Sequence, residues 1–165
     1  MNSELYNLAV ELGESLKLGA LTVTCAESCT GGGIAHAITA VPGSSTWFEM
    51  GFVTYSNASK VGLLNVRADA LAQHGAVSEA VVSAMAEGAR GRSSADLAVS
   101  VSGIAGPDGG SADKPVGTVW FAWAWRGGVE TLCCRFDGNR EEVRDQAIRV
   151  GLEGLLVQSK KAITV

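Results

Sequence analysis

Leu21-Thr22-Val23-Thr24-Cys25-Ala26-Glu27-Ser28-Cys29-Thr30-Gly31-Gly32 passes from an apolar, β-rich run into a turn of small residues, and Ile34 to Ala40 beyond it has helical character. Strand, tight turn, helix is a building unit of α/β domains. The rest of the chain continues the alternation. Upstream, Leu5, Leu8, Ala9, Leu12 and Leu16 share one face of a helix over residues 4–18 that Gly19 stops. Downstream, Gly51 to Tyr55 reads as a strand, and Ser56 or Asn57 caps a short helix that carries Lys60 about one turn in. A helix over 78–91 starts at the Ser78 cap with Glu79 in its first turn, and strand 96–101 follows. Residues 117–125 and 129–136, joined by Arg126-Gly127-Gly128, form a hairpin. Val143, Ala147, Val150 and Leu155 mark a final helix from about Arg140 to Lys160. The expected architecture is an α/β sandwich, one domain over residues 1–165, with a mostly parallel sheet and one antiparallel hairpin.

Composition narrows the function. The chain of 165 residues is 47% hydrophobic and 18% charged, against about 25% charged in a typical domain. That balance suits a buried core and leaves surface for an oligomer. A net charge of −4 and a pI near 5.2, with no basic stripe, argue against a nucleic-acid partner. No apolar run approaches the roughly 18 residues of a membrane span, and Met1-Asn2-Ser3-Glu4 lacks the basic start of a signal peptide. A cytoplasmic protein without a membrane partner is expected. Cysteines at 25, 29, 133 and 134 do not match zinc-site spacings, so no metal is expected.

Ser28 is the first candidate for chemistry. A strand-to-helix turn exposes its hydroxyl, and the small residues Thr30, Gly31 and Gly32 let backbone N–H groups converge on one point, as an oxyanion hole requires. Taken alone, the same turn is equally a cap without chemistry. His36 on the following helix and His74 in an expected surface loop read as structural, so Lys60 is the better base. Its amine must be neutral near pH 7, which apolar packing would bring about. Tyr55 ends the strand that delivers Lys60, and its phenol could relay a proton or orient the amine. The glycine-rich stretch from Ser102-Gly103 to Pro115 offers hydroxyl and N–H donors suited to phosphate, without the pattern of an ATP-binding loop. Arg140 and Arg144, one turn apart at the head of the last helix, are candidate phosphate clamps, or else pair with Glu141, Glu142 or Asp145 on a solvated face.

With these residues in place, the chain resembles the C-terminal domain of competence-damage-inducible protein CinA and its stand-alone relatives, the PncC-type nicotinamide mononucleotide deamidases. The likeness rests on Ala26 to Gly32, Pro42-Gly43-Ser44-Ser45, Gly51 to Asn57 followed by Lys60, Gly75 to Ser78, Ser102 to Pro107, Lys114 to Val119, and Gly138-Asn139-Arg140. It implies a three-layer α/β/α fold, a homo-oligomer, no cofactor or metal, and hydrolysis of the carboxamide of nicotinamide mononucleotide to nicotinic acid mononucleotide and ammonia. It carries catalytic roles onto Ser28, Tyr55 and Lys60. Substrate-binding roles fall on Thr30, Gly31, Gly32, Asn57, Ser102, Gly103 and Arg140, and on Ser45 as either a hydroxyl bridging Lys60 to Ser28 or the cap of a helix beginning near Thr46. Gly33 stands where the family more often has a bulkier residue, and Ser102 where many members have threonine. The rival readings are a non-catalytic nucleotide-sensing or partner-binding module, and an amidohydrolase of a related amide.

Overall fold

The computed structural model describes residues 1–164. Helices α1 (Ser3–Gly19), α2 (Gly33–Thr39), α3 (Asn57–Leu64), α4 (Ala68–His74), α5 (Glu79–Ser93) and α6 (Arg140–Ile163) alternate with strands β1 (Val23–Glu27), β2 (Phe52–Val53), β3 (Leu97–Gly103), β4 (Thr118–Trp125) and β5 (Gly128–Arg135). The strands form one five-stranded sheet in the order β2-β1-β3-β4-β5. Leu12, Leu16, Ile34, Leu152 and Leu155 from α1, α2 and α6 cover one face against Val99, Val101 and Phe121. On the other face, Val81, Met85 and Ala89 of α5 pack with Leu64 and Leu71 of α3 and α4, while the alanines Ala98, Ala122 and Ala124 let α5 approach the sheet closely. The three-layer α/β/α architecture is therefore present.

The sheet is evenly mixed rather than mostly parallel. β1 runs parallel to β2 and β3, whereas β3 pairs with β4, and β4 with β5, antiparallel. The reason lies after β3. Residues 104–117 form no crossover helix, so the chain returns from the end at which it left, and an antiparallel neighbour is the only possibility. The expected strand over 51–55 shrinks to two residues at the sheet edge, although the Thr54 N–H still donates to the Glu27 carbonyl at 2.8 Å. His74 is not in a loop; it closes α4, a two-turn helix whose one buried residue, Leu71, gives no periodic signal. A Cβ at Gly33 would run into the Ile148 side chain, so a bulky residue of α6 occupies the space left by this glycine.

Of the caps expected from sequence, Ser56 rather than Asn57 caps α3, its Oγ accepting from the Ser59 N–H, and Ser78 Oγ accepts from Val81. Asn139 Oδ1, which was not singled out as a cap, caps α6 by accepting from the Glu142 N–H. Helix α3 is held against α5 where Gly88 meets the Leu64 carbonyl, and a Cβ at Gly88 would collide with that backbone. Alanine favours a helix over glycine by about 1 kcal/mol. The collision dominates, and Gly88→Ala is expected to cost about 1–3 kcal/mol in urea unfolding. An unchanged midpoint would mean that α3 can back away freely.

Candidate active site

Ser28, Thr54 and Ser102 lie at or just beyond the C-terminal ends of the three mutually parallel strands β1, β2 and β3, the side on which open α/β sheets bind ligands. A cavity of about 320 Å³ opens there, lined by Ser28, Cys29, Tyr55, Asn57, Lys60, Ser102, Gly103 and Arg140. The volume is at the lower end of the range for small-molecule sites, about 300–1,000 Å³. Ala76 and Val77, from the loop after α4, and Ile104 to Gly106 add an apolar wall; both segments belong to the motifs shared with the family, but the sequence assigned these residues no wall.

Lys60 is the largest fully buried side chain, 1% exposed. Its Nζ lies 3.0 Å from Ser28 Oγ, 2.7 Å from the Thr54 carbonyl and 3.2 Å from the Tyr55 carbonyl. No carboxylate is among these partners. Burial lowers its pKa from the ordinary lysine value, while the nearby Cys29 acts in the opposite direction as the smaller effect. A neutral amine has two N–H bonds and one lone pair. The two carbonyls match the N–H bonds, which leaves the lone pair for the Ser28 hydroxyl to donate to. In that state Lys60 is able to take the Ser28 proton.

Glu27, to which the sequence assigned no role, organises the turn. It is fully buried, and its carboxylate accepts from Thr30 Oγ1 at 2.6 Å, the Ile34 N–H at 2.8 Å and the Ala35 N–H at 3.0 Å. Reaching from the end of β1 to the N-terminus of α2, this carboxylate satisfies orphan donors that Gly32, without a side chain, cannot reach. Cys29 sits beside Ser28, and burial pushes its thiol up to about 11, so it stays protonated near neutrality. The four cysteines are free thiols.

Several expected residues stand elsewhere than their assigned roles require. The Tyr55 phenol is mostly solvent-exposed and accepts from Arg140 Nη2 at 3.2 Å; it is the Tyr55 carbonyl that touches Lys60. Arg140 also donates to the Gly106 carbonyl at 2.8 Å, joining α6 to the loop after β3. Thr30, Gly31 and Gly32 line a second hollow on the outer side of the turn, together with Arg144. The Gly31 N–H is committed to the Ser28 carbonyl at 3.0 Å. Ser45 is exposed in a single 3-10 turn, Ser44–Thr46, outside the cavity lining, and hydrogen-bonds to neither Lys60 nor Ser28. That turn is too short to be the helix expected near Thr46, and Gly43 precedes it as the cap. Among the described residues Arg144 pairs with no acidic side chain; it donates to the backbone carbonyls of Cys29 and Thr30.

Fold and site together define a class: an α/β/α domain with a buried lysine against a turn serine at the carboxyl ends of parallel strands. The chain belongs to the CinA C-terminal domain family, whose sequence model matches residues 5–158. It is 57% identical over 159 residues to the nicotinamide-nucleotide amidohydrolase PncC of Escherichia coli K12, covering 95% of this chain and 96% of the relative. A protein of the same name from Pseudomonas putida is 58% identical over 149 residues, covering 90% and 93%. Among solved structures, the competence/damage-inducible protein CihA from Agrobacterium tumefaciens superposes with a TM-score of 0.93 at 43% identity, covering 95% of this chain and 96% of its own. A CinA superfamily protein from Klebsiella pneumoniae gives 0.92 at 40% identity, covering 98% and 99%.

Proposed function

We propose that this chain hydrolyses the carboxamide of nicotinamide mononucleotide to nicotinic acid mononucleotide and ammonia, with Ser28 as nucleophile and Lys60 as its base. The observation that carries the mechanism is the 3.0 Å contact between Lys60 Nζ and Ser28 Oγ, made by an amine whose other partners are backbone carbonyls. The substrate class follows from nearly full-length relatives named nicotinamide-nucleotide amidohydrolase.

Neutral Lys60 takes the Ser28 proton as Oγ attacks the amide carbon, and the C=O electrons move to oxygen. Collapse of this intermediate breaks the C–N bond, and the Lys60 ammonium returns the proton to the leaving nitrogen, which departs as ammonia. Water then attacks the Ser28 ester, giving up a proton to Lys60; the C–Oγ bond breaks, the Lys60 ammonium returns that proton to Oγ, and nicotinic acid mononucleotide departs. The cationic pyridinium withdraws electrons from the carboxamide and assists both attacks. Asn57, Ser102 and Gly103 line the same cavity and hold the nucleotide.

Arg140 receives the phosphate. Its contacts with Gly106 and Tyr55 occupy two N–H donors and leave others for the ligand. Tyr55 thus acts by placing Arg140 rather than by moving a proton. Arg140→Gln is expected to raise KM by about 10- to 100-fold with little change in kcat, since charge-assisted hydrogen bonds are worth about 1.5–3 kcal/mol. An unchanged KM would move the phosphate elsewhere. In this reading the protein is a cytoplasmic homo-oligomer, with exposed Val53, Val61 and Leu63 on β2 and α3 as surface to be covered. No helix among the described residues is long and apolar enough to cross a membrane.

The reading is tested by measuring ammonia release from nicotinamide mononucleotide beside nicotinamide, its riboside and NAD. The mononucleotide should be preferred. Release from none of them would favour a binding module, and preference for another amide would reassign the substrate.

A further inference from the structure

The hydrogen-bond ladder between β1 and β3 stops one rung early, beside the nucleophile. The Leu97 N–H donates to the Thr22 carbonyl at 3.0 Å, and the Ser28 N–H to the Val101 carbonyl at 3.0 Å. Along a strand, successive N–H groups point alternately to its two neighbours. Leu97, Val99, Val101 and Gly103 therefore face β1, whereas Ile104 faces β4 and donates to the Thr118 carbonyl at 2.9 Å. The register that sets Val101 against Glu27 makes the Ser28 carbonyl the next acceptor, for the Gly103 N–H. That carbonyl instead takes the Gly31 N–H at 3.0 Å. The Gly103 N–H is left aimed at Ser28 without an acceptor among the described residues.

Gly103 lines the same cavity as Ser28 and Lys60. The donors that the sequence placed in the turn do not serve this side. The Ser28 and Gly31 N–H groups are committed to carbonyls, and Thr30, Gly31 and Gly32 line the hollow behind the turn. The aim of the Gly103 N–H is fixed by its neighbours. A Cβ at this position would fall 2.6 Å from Val119 Cγ2 and 3.0 Å from the Thr118 carbonyl, so glycine lets the end of β3 seat closely on β4. A backbone donor held in place before charge develops is what stabilises an oxyanion. We infer that the Gly103 N–H donates to the carboxamide oxygen as it becomes an oxyanion under attack by Ser28. The inference rests on Ser28 as the nucleophile and gives Gly103 a part in the reaction beyond holding the nucleotide.

Cell-free translation with glycolic acid in place of Gly103 tests it, because the resulting backbone ester lacks this one N–H and adds no side chain. Loss of one oxyanion donor costs about 10²–10³ in kcat. On nicotinamide mononucleotide, kcat should fall by about that factor with KM within about threefold. The thioamide analogue of the substrate presents sulfur, a weak acceptor, where the oxyanion forms. Its turnover should fall much less, so the preference for amide over thioamide should shrink. No protein hydrogen bond ends on the Gly103 N–H, and only the weaker acceptor strength of the ester carbonyl at Ser102 acts on stability, so the melting temperature should drop by no more than about 2–4 °C. Wild-type kcat in the ester protein would overturn the proposal. So would a raised KM with kcat preserved, or an equal fall on amide and thioamide. A protein that no longer folds would show this N–H to be a rung of the sheet, and would overturn it too. Ser28→Ala assayed in parallel separates the two readings. Full turnover in Ser28→Ala removes the nucleophile itself, whereas an inactive Ser28→Ala beside a fully active ester protein removes only the role of Gly103.

Discussion

Ser28→Ala is expected to reduce ammonia release from nicotinamide mononucleotide by about 10⁴-fold or more while the protein keeps its fold. The expectation rests on there being no substitute within reach. Ser102 has a hydroxyl in the same cavity, but the amine of Lys60 is bonded to Ser28 and to two carbonyls, and Ser102 is not among its partners. Cys29 is adjacent, but only a thiolate attacks efficiently, and a thiol pushed up to about 11 supplies almost none at neutral pH. The backbone of Ser28 is held by the Val101 carbonyl at 3.0 Å, so losing Oγ should leave the turn in place. Intact-protein mass spectrometry during turnover should find a nicotinoyl nucleotide ester on the wild type and none on the variant. Turnover within about tenfold of wild type would remove Ser28 from the mechanism.

Lys60→Met should lower kcat by about 10²–10⁴, the usual worth of a positioned general base, and should abolish the acid limb of the pH profile. Only the neutral amine accepts the serine proton, so wild-type activity rises with pH through the pKa of Lys60, which burial has lowered from 10.5. The same shift acts on stability. Between the folded value and 10.5 the unfolded chain holds a proton that the folded chain has released, so wild-type stability rises with pH across that window and carries the full burial penalty below it. Methionine has no such dependence. Its stability relative to wild type should therefore decline from neutral pH toward pH 10 in urea titrations. A retained acid limb in the variant would assign that limb to another group.

The strand, turn and helix of residues 21–40 were legible because periodicity and glycine placement are local properties. Lys60 was legible for the same reason: Ser56 caps its helix, and a strand precedes it. What local pattern could not carry is direction. The chain bends sharply between Thr54 and α3, which sends the Tyr55 phenol outward to Arg140 and its carbonyl inward to Lys60. Glu27 was invisible as a buttress because only the packing of α2 decides that its carboxylate is buried. Arg144 was undecided between substrate and solvent, and found backbone carbonyls instead, partners that no side-chain pattern encodes. Ser45 sits in a motif shared with the family, but the 3-10 turn holding it faces solvent.

The mixed sheet separates order of assembly from place of chemistry. β4 and β5 are joined by a short turn, whereas pairing β1 with β3 brings Val23 beside Leu97 across most of the first hundred residues. Closing the longer loop costs more chain entropy. Three of the four tryptophans, Trp120, Trp123 and Trp125, lie on β4, in the half with the short connection. Intrinsic fluorescence thus watches mainly the part of the molecule that zips locally, and the catalytic edge matures largely out of its sight.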